Sequence, residues 1–299
     1  MKVYIHIGFP KCASSSLQAT LFENEAKLKK NGVLYPKLGR QVGGYRNHTP
    51  IIKLDFPVAE YVEGALKEAS SNKCDKIIIS TESIVDNLRL ERVQERCNTL
   101  AQNFKSHADV SVVTFSRSPS SVINSSFAQF LKAGLWALNR DEFFKSTDGT
   151  IDGFLDFFHE KWGFDLWQFE NLYKMAIEVF EVDSLVDFRI QDGTDVIETF
   201  TNFVENGLSL TPSSVTNKRF SLEKLYLIRQ FISQYGLASF QENAPILKGQ
   251  VTFDKKIISS EQAQRDGMLL SRKYSLLLNE LDTRTQGVKV FAKNDLLRS

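Results

Sequence analysis

The sequence predicts an α/β protein: a parallel β-sheet flanked by helices. Three observations carry that expectation. Lys2–Ile7 is an alternating apolar run, and Lys76–Ser80 and Val110–Phe115 are short apolar runs bounded by polar residues, as buried parallel strands are. Each is followed by helical patterning: from Leu17, across Leu90–Ser106, and from Pro119. Strands that alternate with helices pack as a parallel sheet covered on both faces. Ligands in such sheets gather beyond the carboxyl ends of the strands. Gly8, Ser80-Thr81-Glu82 and Arg117 follow the three runs and are expected to share one crevice.

The remaining elements follow in order. A first helix is expected over Ser15–Asn31, then Gly32 and a short Val33-Leu34-Tyr35 strand. Residues 36–55 are glycine-rich and irregular. Helices are expected over Val58–Ser71, Ser83–Leu88 and Leu90–Ser106. Beyond Pro119, helices at Ile151–Trp162 and Asp195–Asn206 enclose a short Ala176–Phe180 strand. Ser221–Tyr235 and Ser260–Leu281 read as amphipathic helices, with the Leu269-Leu270 and Leu276-Leu277-Leu278 stripe as core. With 299 residues and no repeat or linker, a single domain spanning 1–299 is expected, with a ligand-binding core in 1–135 and a mostly helical remainder in 136–299.

Composition narrows the function classes. Charged residues make up 24% of the chain, hydrophobic ones 42%, and the net charge is +1. That balance provides no basic field for nucleic acid. Cys12, Cys74 and Cys97 form no CxxC pair and read as free thiols of a reducing compartment. No His/Cys cluster has metal-ligand spacing, so no metal is expected. No apolar run reaches the ~20 residues of a membrane helix, and no leader precedes the first strand, so a cytoplasmic protein is expected.

The N-terminus carries the sharpest signal. The first strand runs into Gly8-Phe9-Pro10-Lys11-Cys12-Ala13-Ser14-Ser15-Ser16 and then a helix. A helix N-terminus presents unpaired N–H groups and partial positive charge. Lys11 adds a full charge, and Ser14, Ser15 and Ser16 add hydroxyl donors, so the loop suits a phosphate or a sulfuryl group. It is not the nucleotide-triphosphate loop G-x-x-x-x-G-K-[ST], because here the lysine precedes the hydroxyl cluster. A second unit follows the third strand: Ser116-Arg117-Ser118-Pro119, with Ser118 at the N-cap position, Pro119 at the first helical position, and Ser125 eight residues after Arg117.

Together and in this order, the two segments resemble sulfotransferases. The first resembles their 5′-phosphosulfate loop, roughly P-K-[ST]-G-T-T-[ST]-L-Q. Pro10, Lys11, Ser14, Ser15, Ser16, Leu17 and Gln18 fit it; Cys12 and Ala13 depart from it. Ala13 stands where glycine is usual, so the backbone there either avoids positive φ or carries strain. The second resembles their R-[DS]-P segment followed by a serine. The resemblance implies a P-loop-like sulfotransferase architecture with a helical C-terminal part, and 3′-phosphoadenosine 5′-phosphosulfate as cosubstrate without a metal. It further implies that Arg117 and Ser125 grip the 3′-phosphate, while residues 11–16 hold the 5′-phosphosulfate. The implied acceptor is a hydroxyl on a carbohydrate or small metabolite.

Two residues compete for the base that takes the acceptor proton. Glu82 follows a buried strand, and the resemblance implies a base here because some sulfotransferases use a glutamate. Its plain alternative is a carboxylate at a helix start. His48 lies between the lysine loop and the arginine unit, where soluble small-molecule sulfotransferases place a histidine; it is read as base or acceptor ligand. His6, inside the first strand, is read as packing or bonding locally. Lys218 and Arg219 precede a helix in a stretch similar to one in bacterial relatives, and either approach the nucleotide or form a solvated basic loop. A P-loop kinase and a non-catalytic nucleotide-binding protein remain the alternative classes. The acceptor's identity and the oligomeric state are not legible.

Overall fold

A computed structural model describes residues 1–10, 12–41, 46–190, 195–213, 222–249, 273–283 and 288–296. Lys11, Lys218, Arg219, Leu269 and Leu270 lie outside the described residues.

The strands are β1 Lys2–His6, β2 Val33–Leu34, β3 Lys76–Ser80, β4 Asp109–Ser116, β5 Ser184–Arg189 and β6 Val288–Ala292. They form one sheet in the order β2-β3-β1-β4-β5-β6. All neighbours are parallel except β5 and β6. The central strands are buried along nearly their whole length; Val3, Ile5, Ile77, Ile78, Ile79, Val112 and Val113 reach no solvent. Each such side chain contributes about 1.5–3 kcal/mol of transfer free energy.

The helices are α1 Ser14–Glu23, α2 Glu25–Lys30, α3 Val58–Ser71, α4 Glu91–Lys105, α5 Pro119–Ala133, α6 Arg140–Ser146, α7 Ile151–Trp162, α8 Phe169–Phe180, α9 Val196–Val204, α10 Leu222–Gly249, α11 Ser275–Thr283 and α12 Lys293–Leu296. Opposite sheet faces take different helices. Tyr173 of α8 hydrogen-bonds Asp187 on one face, while Phe200 and Phe203 of α9 pack on Phe188 on the other. No helix among the described residues is long and apolar enough to cross a membrane.

The chain divides into two compact units. The first comprises Met1–Arg117, Phe169–Asn217 and Thr285–Ser299, and holds the whole sheet. The second comprises Ser118–Gln168 and Lys218–Arg284 and is helical wherever it has regular structure among the described residues. Its core includes Trp136, whose carbonyl accepts from the Trp162 indole at 2.9 Å, with Phe158 stacked on Trp162.

Several expected elements are corrected. The first helix breaks at Asn24. Its side chain donates to the Thr20 carbonyl at 2.8 Å and to the Thr211 carbonyl at 2.9 Å, and accepts from the Thr211 N–H at 3.1 Å. Such side-chain bonds compete with the helical ladder. Ala176–Phe180 is not a strand but the end of α8. The buried set Phe169, Leu172, Tyr173, Ala176, Ile177 and Phe180 has helical spacing. The fifth strand is Ser184–Arg189 instead, and β6 was not anticipated. Ser83–Leu88 holds only a single 3₁₀ turn, Val85–Asn87. In the leucine stripe Leu278 is core, but Leu276 is 85% exposed.

Candidate active site

The sheet order places a crevice. The connection leaving β1 leads towards β2 and β3, while β4 leads to β5 on the other side. Ligands in open α/β sheets bind at such a switch point, here beyond the carboxyl ends of β1 and β4. His6 aligns with Ser80 of β3 and Val113 of β4, and Ser116 aligns with Arg189 of β5. The Gly8–Ser14 loop, Thr81-Glu82, Arg117 and Arg189 therefore stand at one end of the sheet.

The loop continues β1 along β4. Ile7 N–H bonds the Val113 carbonyl at 2.9 Å, and Phe9 N–H the Phe115 carbonyl at 3.2 Å. Cys12 N–H then turns back to the Phe9 carbonyl at 3.2 Å. Ala13 is the N-cap of α1 with φ 58°, ψ 5°, so it takes the left-handed conformation that glycine adopts freely. An L-residue there costs about 1–2 kcal/mol, strain that the surrounding loop must sustain. No side chain caps α1, whose first helical bond runs from Leu17 N–H to the Ala13 carbonyl at 2.9 Å. The helix's opening amides thus have no helical carbonyl to bond.

Beside this end, Ser14 is 1% exposed and its hydroxyl has no hydrogen-bond partner. Ser15 and Ser16 are half-buried. Gly8 is obligatory here. A Cβ on it would lie 2.6 Å from His6 Nε2 and 2.7 Å from Ser14 Oγ, closer than real contacts allow. Burial raises the Cys12 thiol pKa well above its usual range, with Arg117, the largest opposing charge, pulling the other way. Cys12 is thus a neutral, buried thiol. The charges of Arg117, Asp187, Glu82 and Arg189 all reach it, which brings the ends of β3, β4 and β5 electrostatically onto the loop.

Glu82 is half-buried in the turn after β3. Thr81 N–H bonds the His6 carbonyl at 3.0 Å, and the Thr81 hydroxyl meets Thr49 Oγ1 at 3.0 Å and accepts from Ser83 N–H at 3.3 Å. This bonding fixes the turn that carries Glu82. Four residues on, burial and then the Glu82 charge raise the Asp86 pKa to about 7.

His48, read from the sequence as base or acceptor ligand, lies inside the protein rather than open to a substrate. It is 0% exposed, between Tyr35 and Tyr61. Its Nδ1 accepts from Ser80 N–H at 3.3 Å and its Nε2 donates to the Pro36 carbonyl at 3.1 Å. Both ring nitrogens are committed to backbone groups, one of Pro36 and one of Ser80 in β3.

Arg117 is half-buried at the end of β4 and makes no hydrogen bond or ion pair among the described residues. Ser125 lies on α5 of the second unit and is buried; neighbouring Ser126 is buried too, its hydroxyl unpartnered. Ser118 occupies the N-cap of α5, but its side chain forms no cap bond. Lys11, Lys218 and Arg219 fall outside the described residues, so the structure is silent on them.

Sequence reasoning missed β5. Asp187 is buried, its Oδ2 accepting from Ser116 Oγ at 2.7 Å and Tyr173 OH at 2.9 Å. Burial raises its pKa, against those two bonds. Arg189 is 8% exposed, and its buried Nε and Nη1 have no partners. Arg189 thus holds two unsatisfied, buried donors at the carboxyl end of β5, the kind of group that suits an anion. The available signal was a pair of opposite charges inside a short apolar run.

Burial lowers the pKa of both His6 and His48 to about 3. The unfolded chain charges them below about pH 6.5, so their contribution is fully present above that pH and is lost as pH falls. Asp86 works in the opposite sense, because its raised pKa lets the folded state hold a proton. From pH 7 to 5 each histidine should cost about 2 kcal/mol and Asp86 should return about 2. Urea melts are expected to show a net loss of about 2 kcal/mol in the wild type and about 4 in Asp86→Asn. Equal losses in the two proteins would refute the Asp86 assignment.

No protein-family model matches the chain, and no curated protein does. Among solved structures, a sulfotransferase from Alicyclobacillus acidocaldarius is similar at 10% identity and a TM-score of 0.38, over 83% of this chain and 96% of that one. A likeness of that size does not bear on activity.

Proposed function

We propose that the chain is a sulfotransferase that moves the sulfuryl group of 3′-phosphoadenosine 5′-phosphosulfate to a hydroxyl of a carbohydrate or small metabolite. The observation that carries this reading is a juxtaposition. The P-K-x-x-S-S-S-L-Q loop and the R-S-P arginine, recognised separately in sequence, follow adjacent parallel strands at one end of the sheet.

In this reading the opening amides of α1, the Ser14–Ser16 hydroxyls and Lys11 take the 5′-phosphosulfate. Arg117 takes the 3′-phosphate; Ser125's share in that grip rests on its sequence spacing alone. Arg189 adds a second guanidinium at the neighbouring strand end. Glu82 takes the acceptor proton as the acceptor oxygen bonds to sulfur. The bond from sulfur to the bridging oxygen breaks, and Lys11 neutralises the charge left on the phosphate. A soluble, cytoplasmic setting accompanies this reading.

The test is nucleotide discrimination. 3′-Phosphoadenosine 5′-phosphate should bind the wild type far better than adenosine 5′-phosphate. Arg117→Ala should remove about 10–100-fold of that preference, the worth of a charge-assisted bond at roughly 1.5–3 kcal/mol. Equal affinities of the two nucleotides for the wild type, by calorimetry, would sink the reading.

A further inference from the structure

We propose that His6 positions the anion loop: its Nε2–H donates to the Ser14 hydroxyl oxygen and thereby aims the Ser14 proton at the bound anion. This rests on the reading of the loop as an anion site. His6 has no place in the sequence resemblance, and the inference comes from proton bookkeeping among buried groups.

Gln18 Nε2 lies 3.2 Å from Ser80 Oγ, and His6 Nδ1 lies 2.9 Å from the same oxygen. An amide nitrogen only donates, so Ser80 Oγ accepts from Gln18. The single Ser80 proton then has His6 Nδ1 as its partner, the one acceptor in hydrogen-bond contact with it among the described residues. Nδ1 is therefore the bare nitrogen. Burial holds the ring neutral, so its one proton sits on Nε2.

That Nε2–H is a buried donor without a partner. Ser14 Oγ is buried and unpartnered as well. Both atoms border the space a Cβ on Gly8 would fill, 2.6 Å from it for His6 Nε2 and 2.7 Å for Ser14 Oγ. In this proposal rotation about the Ser14 side chain joins them. The hydroxyl oxygen then accepts from His6, and its proton is left to point at an anion seated at the start of α1. The chain Gln18 → Ser80 → His6 → Ser14 → anion uses every donor in one direction. Glycine at position 8 is what leaves room for it.

Long-range ¹H–¹⁵N spectra of the full chain, with the four histidines ¹⁵N-labelled, read the tautomer directly. A His6→Phe spectrum assigns the resonance. The proton is expected on Nε2, and the Nε2 signal should shift when 3′-phosphoadenosine 5′-phosphate or inorganic phosphate is added. A proton on Nδ1 overturns the proposal. So does an Nε2 signal that neither probe moves. A response to phosphate without any nucleotide binding would leave His6 in place and refute the sulfotransferase reading instead. In a double-mutant cycle Ser14→Ala should weaken nucleotide binding about tenfold, and His6→Phe should weaken it no further in that background. Independent, additive losses overturn the relay.

Discussion

Replacing Lys11 with alanine is expected to lower turnover by at least ~100-fold, comparable with removing one oxyanion donor. Lys11 sits between Pro10 and Cys12, in the loop that joins β1 to α1. As sulfur leaves the bridging oxygen, negative charge grows on the phosphate, so a cation there stabilises the transition state more than the ground state. The loss should fall on kcat rather than on nucleotide affinity. Steady-state kinetics on a variant with an unchanged circular dichroism spectrum is the check. Near-normal kcat would remove Lys11 from the chemistry.

Glu82→Gln is expected to abolish transfer while leaving nucleotide affinity nearly unchanged. The substitution keeps the shape and removes the base. The turn that bears Glu82 is tied to β1 and to Thr49, so its position is held by bonds to other elements rather than left to a free loop. His48→Ala is expected to act differently. It strands the Pro36 carbonyl and empties a buried site, so stability should fall by about 2–3 kcal/mol while turnover per folded molecule persists. The comparison needs a screen of sugars and simple alcohols for an acceptor, then rates corrected for folded fraction. A fully active Glu82→Gln enzyme beside a dead but folded His48→Ala enzyme would exchange the two roles.

Where the chemistry is local, the sequence was readable. The β1 loop, β3, β4 and the start of α5 each join a short apolar strand to an adjacent turn signal, and those signals need no tertiary context. The Cys12-Ala13 departure was also legible as a choice between avoiding positive φ and bearing strain; Ala13 bears it. The placement of His48 was not legible, because its burial depends on Tyr35, Pro36, Tyr61 and Ser80, which are distant from it in the chain. β5 was hidden because Asp187 and Arg189 interrupt its apolar run, and the place of Asp187 is fixed by partners on other elements, Ser116 and Tyr173. β6 was hidden because it lies at the sheet edge, with Val288 and Val290 facing solvent.

That edge bears on how the chain avoids self-association. β5 receives β6 only after Lys218–Arg284, the second stretch of the helical unit, has passed between them in the chain, and such non-local pairings form late. Until then β5 is a bare edge of short, apolar, strand-forming sequence, a template for any other extended chain. Once β6 docks, the exposed border passes to a strand whose outward valines enclose the exposed cation Lys289. A charge in that position is a gatekeeper: it costs little in the native sheet and penalises a second copy stacking in register, because two such lysines would meet. The strand that closes this side of the sheet thus also carries a charge that opposes pairing between copies.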